Sequence, residues 1–189
     1  MVKKFSLGDL MVDEDRIIIL DIGAMEIGSG NETYAPLLET GKVKLFGFEP
    51  NEVECDRLNE RQDKTRVYYP YFIGDGEKAT YYQTNMAMTG SLFEPNSQLL
   101  KKFQNLNELT TLVKTRPVDT IRLDDVTGVT DVDFIKIDVQ GAELIVFENG
   151  QDVLAQTSII HTEVEFVEMY KGQPLFADID IFLRSQGFQ

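Results

Sequence analysis

Carboxylates and glycines that follow an apolar run are the first residues in this sequence whose types suggest chemistry. Residues 17–20 are apolar and mostly β-branched, which is typical of a strand buried on both faces of a parallel sheet. Asp21 follows this run, and Gly23, Gly28 and Gly30 come after it. A strand, a carboxylate and a glycine-rich turn form the first unit of a Rossmann-like nucleotide site. The spacing is not GxGxxG, so an ordinary strand-to-helix turn is the alternative.

A second carboxylate, Glu49, lies at the end of the next predicted strand, Val43–Phe48. Folds of this kind hold a ribose through an acidic residue at that position. A carboxylate suits the task because it accepts two hydrogen bonds from a vicinal diol. The alternative is a solvent-facing glutamate before a helix that starts at Pro50.

The charge of the first loop indicates which nucleotide it binds. Pyrophosphate favours bare backbone N–H groups and positive potential at a helix N-terminus. The loop region instead carries Asp21, Glu26 and Glu32, which would repel phosphates. S-adenosylmethionine has no phosphate and carries an ammonium and a sulfonium group. The sequence therefore favours S-adenosylmethionine over a dinucleotide.

Composition restricts the class of protein. A chain of 189 residues with 42% hydrophobic and 26% charged residues predicts a single globular domain over residues 1–189, with residues 1–15 as a lead-in. The net charge of -14 disfavours nonspecific binding to nucleic acid or to an anionic membrane. Cys55 is the only cysteine and is expected to have no catalytic role. No apolar leader or membrane-length run is seen, so the cytoplasm is the predicted compartment.

Alternating strands and helices predict a parallel α/β sheet with three layers. Residues 66–73 form a predicted third strand with Pro70 at an edge or bulge, and Lys78–Thr84 is predicted to extend it or to pair with it. The other predicted strands are Leu112–Ile121, 133–138 and 158–166. The predicted helices are 31–40, 51–61, 97–107, a short crossover helix starting at 123–126, one ending near Phe147, and Phe176–Ser185.

Two connecting segments are candidate binding elements. Asp75, in a Gly-Asp-Gly turn after the third strand, could accept a hydrogen bond from an adenine amino group, although turn chemistry alone explains an aspartate there. Residues 85–96 form a long polar loop with two methionines. Such loops often serve as lids or binding loops, and the methionines are equally suited to filling the core.

Residues 134–150, FIKIDVQGAELIVFENG, closely resemble the signature of the FkbM-like family of S-adenosylmethionine-dependent methyltransferases. ILDIGA at 19–24, FGFEPN at 46–51, RLDD at 122–125 and HTEVEFVEMYKGQP at 161–174 resemble other parts of the family pattern in the same order. The resemblance implies an α/β fold: a Rossmann-like class I methyltransferase, a three-layer α/β/α sandwich with a mostly parallel sheet. The cofactor site that it implies comprises Asp21, Gly23, Ala24, Glu49, Asp75 and Asp138.

The sequence departs from the family pattern at three places. The first loop, residues 25–30, is longer and more acidic than the usual one, and Gln140 stands where the family usually has a glutamate. Class I methyltransferases normally finish with two further strands in a reversed hairpin, and this chain ends at Gln189 before such strands. The resemblance therefore predicts a sheet whose C-terminal edge is truncated or closed in another way.

The predicted reaction is methyl transfer to a hydroxyl oxygen, in which positioning of the acceptor is the main contribution. Asp138 is the first candidate for a general base or acceptor ligand, and a helix cap before Gly141 is its alternative role. Lys136 shares a strand face with Asp138, where it could pair with a carboxylate or orient an anionic substrate. His161 is a third candidate catalytic residue, although a lone histidine in an apolar strand is more often a core residue.

The region after the fifth strand offers further candidates. Glu163 and Glu165 share a strand face and could form an oxygen-rich metal site with Asp138, but no spacing rule requires it, and no metal is predicted. Tyr170 and Lys171 are candidate substrate contacts on the following loop.

The interpretation favoured by these observations is an S-adenosylmethionine-dependent O-methyltransferase. Its predicted partner is a small molecule or glycan with a hydroxyl group, not a nucleic acid or a membrane. The alternatives are a non-catalytic binding protein that kept the fold, suggested by the unusual first loop, and a dinucleotide-dependent oxidoreductase, which the acidic loop disfavours.

Overall fold

Five parallel strands form the central sheet of the computed structural model, which describes residues 16–25, 32–61 and 63–189 together with Gly8 and Met11. The order of these strands is β3-β2-β1-β7-β8, so that β1 is central. The strands in the described part of the chain are β1 (Ile17–Ile22), β2 (Val43–Phe48), β3 (Arg66–Tyr69), β4 (Phe72–Ile73), β5 (Lys78–Thr84), β6 (Leu112–Ile121), β7 (Phe134–Ile137) and β8 (Ile159–Thr162).

The α-helices of the described residues are α1 (Ala35–Leu38), α2 (Glu52–Asn59), α3 (Ser97–Leu100), α4 (Leu106–Leu109), α5 (Glu143–Glu148), α6 (Gln151–Leu154) and α7 (Phe176–Ser185). The predicted helix over residues 97–107 is wrong as a single element. It is divided into α3, which ends at Leu100, and α4, which begins at Leu106 after an N-cap residue, Asn105, in a left-handed conformation with φ 66°. The predicted crossover helix is only a 3₁₀ turn, Leu123–Asp125. The lead-in, apart from Gly8 and Met11, and the loop segment 26–31 lie outside the described residues.

Hydrophobic side chains on the two faces of the sheet form two separate clusters, which give the molecule its three layers. Successive residues of a strand point to opposite faces. Leu20 and Ile22 therefore pack with α5, α6 and α7 on one face, whereas Ile19 packs with Leu58 of α2 and with Tyr34 on the other. This arrangement confirms the predicted α/β fold with a mostly parallel sheet.

A second, three-stranded sheet with the order β4-β6-β5 stands beside the first. The third predicted strand, 66–73, is in fact two strands, because the chain leaves the central sheet at Pro70 and Tyr71 and enters the second sheet as β4. Proline lacks the N–H that a ladder position would need. The prediction that Lys78–Thr84 extends or pairs with the third strand is also wrong, since β5 pairs antiparallel with β6.

No helix in the described part of the chain is both long enough and apolar enough to cross a membrane.

Candidate active site

A cavity of about 820 Å³ lies at the carboxyl ends of β1, β2 and β7. Ligands of open α/β sheets bind at these strand ends, and 820 Å³ falls within the usual size of a small-molecule site. One wall is the end of the central sheet and the other is the second sheet with the segment 87–92. The polar side chains that line it are Asp21, Glu32, Thr33, Tyr34, Glu49, Asn51, Glu52, Tyr71, Tyr81, Gln83, Ser91, Lys114, Arg116, Lys136, Asp138 and Gln140.

Asp21 is buried at the floor of the cavity and is held by two side chains. Its Oδ1 lies 3.0 Å from the Lys136 ammonium, which comes from the position paired with Asp21 on the neighbouring strand β7. Its Oδ2 accepts a hydrogen bond of 2.5 Å from the Tyr34 hydroxyl. Burial raises the pKa of Asp21, while Lys136 and Tyr34 oppose that rise by stabilising the charged form. Burial, followed by the adjacent carboxylate, raises the pKa of Tyr34.

The Lys136 ammonium has polar contacts with two residues of the first loop and its strand, Asp21 and Gly23. Besides its ion pair with Asp21, its ammonium donates to the Gly23 carbonyl oxygen at 2.9 Å. Of the two roles considered for Lys136, pairing with a carboxylate is therefore the one that the geometry provides. It links the first loop to β7, and this makes it a positioning residue.

Gly23 is the one described glycine of the first loop, and its site requires glycine. Its φ is +80°, and a Cβ there would overlap the carbonyl oxygen of Asp138 and lie 3.1 Å from the carbonyl carbon. The N–H groups of Gly23 and Ala24 donate to the Phe48 carbonyl oxygen at 3.0 and 3.1 Å. The start of the loop is therefore packed against the ends of both neighbouring strands. Gly28 and Gly30 lie outside the described residues.

Glu49 lies at the carboxyl end of β2 and is only 4% exposed. Its Oε1 accepts a hydrogen bond of 2.8 Å from the N–H of Asn51. Burial is the main cause that raises its pKa, and the Asn51 hydrogen bond acts in the opposite direction. The solvent-facing alternative is wrong, as is a helix start at Pro50: α2 begins at Glu52 after the N-cap Asn51. Glu49 is thus a fixed, buried carboxylate on the cavity wall.

Asp138, just beyond β7, belongs to a hydrogen-bonded group centred on Gln140. The Gln140 amide donates to Asp138 Oδ1 at 2.6 Å and to Glu163 Oε2 at 2.9 Å. Its oxygen accepts a 2.8 Å hydrogen bond from the buried Tyr170 hydroxyl. Burial, together with the nearby Asp138, raises the pKa of Glu163 to about 7. An amide at position 140 has two donors for two carboxylates, which the glutamate usual in the family could not supply.

Asp138 does not cap the following helix, which corrects the alternative role considered for it. Helix α5 has Ala142 at its N-cap and no side-chain cap. The N–H of Val139 is instead taken by Glu143 Oε1 at 2.9 Å. Asp138 therefore keeps its place on the cavity wall.

Several other candidates are not brought to the cavity. Asp75 is exposed in its turn, where it accepts from Glu77 N–H at 3.0 Å and from the Thr120 hydroxyl at 3.2 Å. His161 is exposed on β8, the edge strand of the sheet. Tyr170 is buried beneath Gln140, and Lys171 pairs at the surface with Glu94.

The metal hypothesis finds no matching ligand group. Within residues 16–25, 32–61 and 63–189, no three His, Cys, Asp or Glu side chains are arranged to hold a metal ion. Glu165 is buried, whereas Glu163 is taken up by the Gln140 amide.

Four cavity residues that sequence reasoning missed lie on the second sheet: Tyr81 and Gln83 of β5, and Lys114 and Arg116 of β6. The two residues of each strand are two positions apart and therefore share a strand face, and this spacing is visible in the sequence. Nothing in the sequence indicated that this face covers the site, because that depends on how the two sheets pack.

Comparison with known proteins decides the family. The sequence matches the Methyltransferase FkbM domain over residues 21–189, which includes every described strand-end residue of the cavity. The chain belongs to the FkbM methyltransferase family. It is 30% identical over 173 residues to the 2-O-methyltransferase NoeI of Sinorhizobium fredii, a match that covers 87% of this chain and 70% of that relative. No solved structure matches it.

This FkbM methyltransferase is therefore an enzyme of the class that the motif at residues 134–150 predicted. Family membership favours neither the oxidoreductase nor the non-catalytic alternative. Its central motif, residues 134–150, supplies Lys136, Asp138 and Gln140, three of the side chains that line the cavity.

Proposed function

We propose that this enzyme transfers a methyl group from S-adenosylmethionine to a hydroxyl oxygen of a small molecule or sugar. The observation that carries the proposal is the buried carboxylate of Glu49 on the wall of the cavity, at the strand end where Rossmann-like folds hold a ribose. One of its oxygens is fixed by Asn51, so the carboxylate is already oriented before a ligand arrives.

The cavity residues suit S-adenosylmethionine better than a dinucleotide. On the side of the central sheet, the cavity carries the carboxylates of Glu49 and Asp138, which complement a cationic ligand, and Asp21 with its partner Lys136. The N–H groups of Gly23 and Ala24, which a phosphate would need, are used by the Phe48 carbonyl oxygen. Glu49 would hold the ribose, and Asp21, Gly23, Ala24 and Asp138 would surround the rest of the cofactor. Asp75, which lies away from the cavity, is left out of this proposal.

S-adenosylmethionine supplies a methyl group on a sulfonium, which is an activated leaving group. The protein must then hold the acceptor oxygen in line and accept its proton. Asp138 is the residue proposed for this task, because it lies on the cavity wall with Oδ1 fixed by Gln140. Glu163, whose pKa burial and Asp138 raise to about 7, shares the Gln140 amide and could take the proton onward. His161 is not needed for this chemistry.

The transfer to oxygen also draws support from the relative NoeI, which is named a 2-O-methyltransferase. For this chain we propose a hydroxyl acceptor, without assigning the ring position of that hydroxyl.

The test is calorimetric titration of the wild type and two variants with S-adenosylmethionine and S-adenosylhomocysteine. Glu49→Gln keeps the shape and removes the charge, and we expect it to weaken binding about tenfold, or about 1.4 kcal/mol. Glu60→Gln is the matched control, since Glu60 is exposed at the end of α2, away from the cavity. If the Glu49 variant binds these ligands as tightly as the wild type does, the proposed ribose contact of Glu49 is wrong. If the wild type binds neither ligand, S-adenosylmethionine is not the cofactor.

A further inference from the structure

Two cationic side chains face the cavity from the antiparallel pair of strands β5 and β6, here called the ribbon. Lys114 and Arg116 are two residues apart on β6, and both line the cavity. The ladder places Arg116 opposite Tyr81 and Lys114 opposite Gln83, which also line it. The inner face of the ribbon thus presents two cations, an amide and a phenol to the same space as the carboxylates of the central sheet.

Among the described residues, no carboxylate forms an ion pair with either of these two cations. Within the described ranges, 16–25, 32–61 and 63–189, neither Lys114 nor Arg116 forms a salt bridge, whereas Lys136 on the opposite wall is paired with Asp21. The Arg116 guanidinium instead lies 5.4 Å from the ring centres of both Phe72 and Tyr81. Aromatic rings at this distance orient a guanidinium and leave its N–H groups available for hydrogen bonds.

Placing two cations side by side has an electrostatic cost. The backbone positions of residues two apart on a strand are separated by roughly 6.6 Å, so these two exposed cations project from the same face of β6 and repel each other. In a chain of net charge -14, carboxylates that could have neutralised them are plentiful. An anion that enters the cavity between the two side chains would remove the repulsion and would receive charge-assisted hydrogen bonds.

We propose that Lys114 and Arg116 form an anion subsite that binds a carboxylate, phosphate or sulfate group of the molecule that is methylated. The inference rests on the proposed methyl transfer in the same cavity and deepens it by giving the acceptor a charge. The carboxylates of the central sheet would then face the cationic cofactor, and the ribbon would face the anionic acceptor. Arg116, with its planar fork, is suited to a bidentate contact, and Lys114 adds a second point of charge.

The experiment is a titration of the protein saturated with S-adenosylhomocysteine, using D-glucuronate, D-glucose 6-phosphate, inorganic phosphate and neutral D-glucose as probes. We expect at least one anionic probe to bind the wild type more tightly than glucose does. The double variant Lys114→Gln/Arg116→Gln should lose about tenfold in affinity for that probe, with glucose unaffected. The control Lys78→Gln/Lys102→Gln removes the same charge from exposed positions outside the cavity and should bind as the wild type does.

The probes and variants separate the possible outcomes. Tighter binding of glucuronate identifies a carboxylate subsite, and tighter binding of the phosphates identifies a phosphate subsite. The proposal is overturned if no anion binds in preference to glucose, or if the control loses binding as much as the double variant does. It is also overturned if the double variant loses affinity for S-adenosylhomocysteine, because the pair would then bind the cofactor's own carboxylate. Failure of the wild type to bind S-adenosylhomocysteine would instead refute the proposed function. The anion subsite would then be tested separately, by titrating inorganic phosphate into the wild type and the double variant in the absence of S-adenosylhomocysteine.

Discussion

Substitution of Gly23 by alanine tests the contact that joins the first loop to β7. The residue has φ +80°, and the added Cβ would overlap the carbonyl oxygen of Asp138. Two costs are therefore expected: backbone strain from the positive φ, and displacement of the strand end that carries Asp138. The second cost acts directly on the cavity, because Asp138 lines it.

The two costs can be separated with a matched glycine. Gly128 has φ +86°, and nothing lies within 4 Å of the position its Cβ would take. Gly128→Ala should therefore show the strain alone, about 1 kcal/mol. Gly23→Ala should show the same strain plus an overpacking cost of about 1–3 kcal/mol, for a total of about 2–4 kcal/mol.

The measurement is urea unfolding followed by circular dichroism, with the free energy of unfolding extrapolated to water for the wild type and both variants. Binding of S-adenosylhomocysteine, measured in parallel, should be weakened in the Gly23 variant only. Equal destabilisation by the two variants would refute the reasoning, since it would mean that the approach of Gly23 to Asp138 costs nothing to disturb.

Two further predictions concern buried charges. Burial raises the pKa of Glu143 from its ordinary value of 4.5 to about 8. Between these two pH values the folded protein holds a proton that the unfolded chain has released, so the free energy of unfolding falls as the pH rises from 4.5 through about 8. Glu143→Gln should keep the contact with Val139 N–H and should remove a loss in the free energy of unfolding of about 3–4 kcal/mol between pH 5 and pH 8. Urea unfolding at a series of pH values measures this, and an unchanged pH dependence would count against the prediction. Lys136→Met should lower the free energy of unfolding by about 3–5 kcal/mol, because the buried charge of Asp21 loses its ion-pair partner. Adding Asp21→Asn should restore part of that loss in thermal and urea unfolding. Strictly additive effects of the two substitutions would show that the pair is not coupled.

The strands of the central sheet and the last helix could be predicted because their signals are local. Apolar runs at β1, β2 and β7 identify buried strands, and the predicted bounds of α7, Phe176–Ser185, are those observed. The predictions failed where distant contacts decide. At Pro70 the chain changes sheets, and residues 101–105 interrupt the helix that was predicted over residues 97–107. Neither event leaves a distinctive periodicity in the sequence.

The sequence by itself determined the family, the parallel α/β fold and the carboxylates at the strand ends. These are properties of single segments, since a strand end and its acidic residue are adjacent in the chain. Only the tertiary structure decided how each carboxylate is used: Asp21 is paired with Lys136, and Asp138 shares an amide with Glu163. It also decided that Asp75 and His161 lie outside the cavity and that the inner face of the ribbon lies within it. Register between strands and packing between sheets join residues far apart in the chain, and such contacts are not encoded in any one segment.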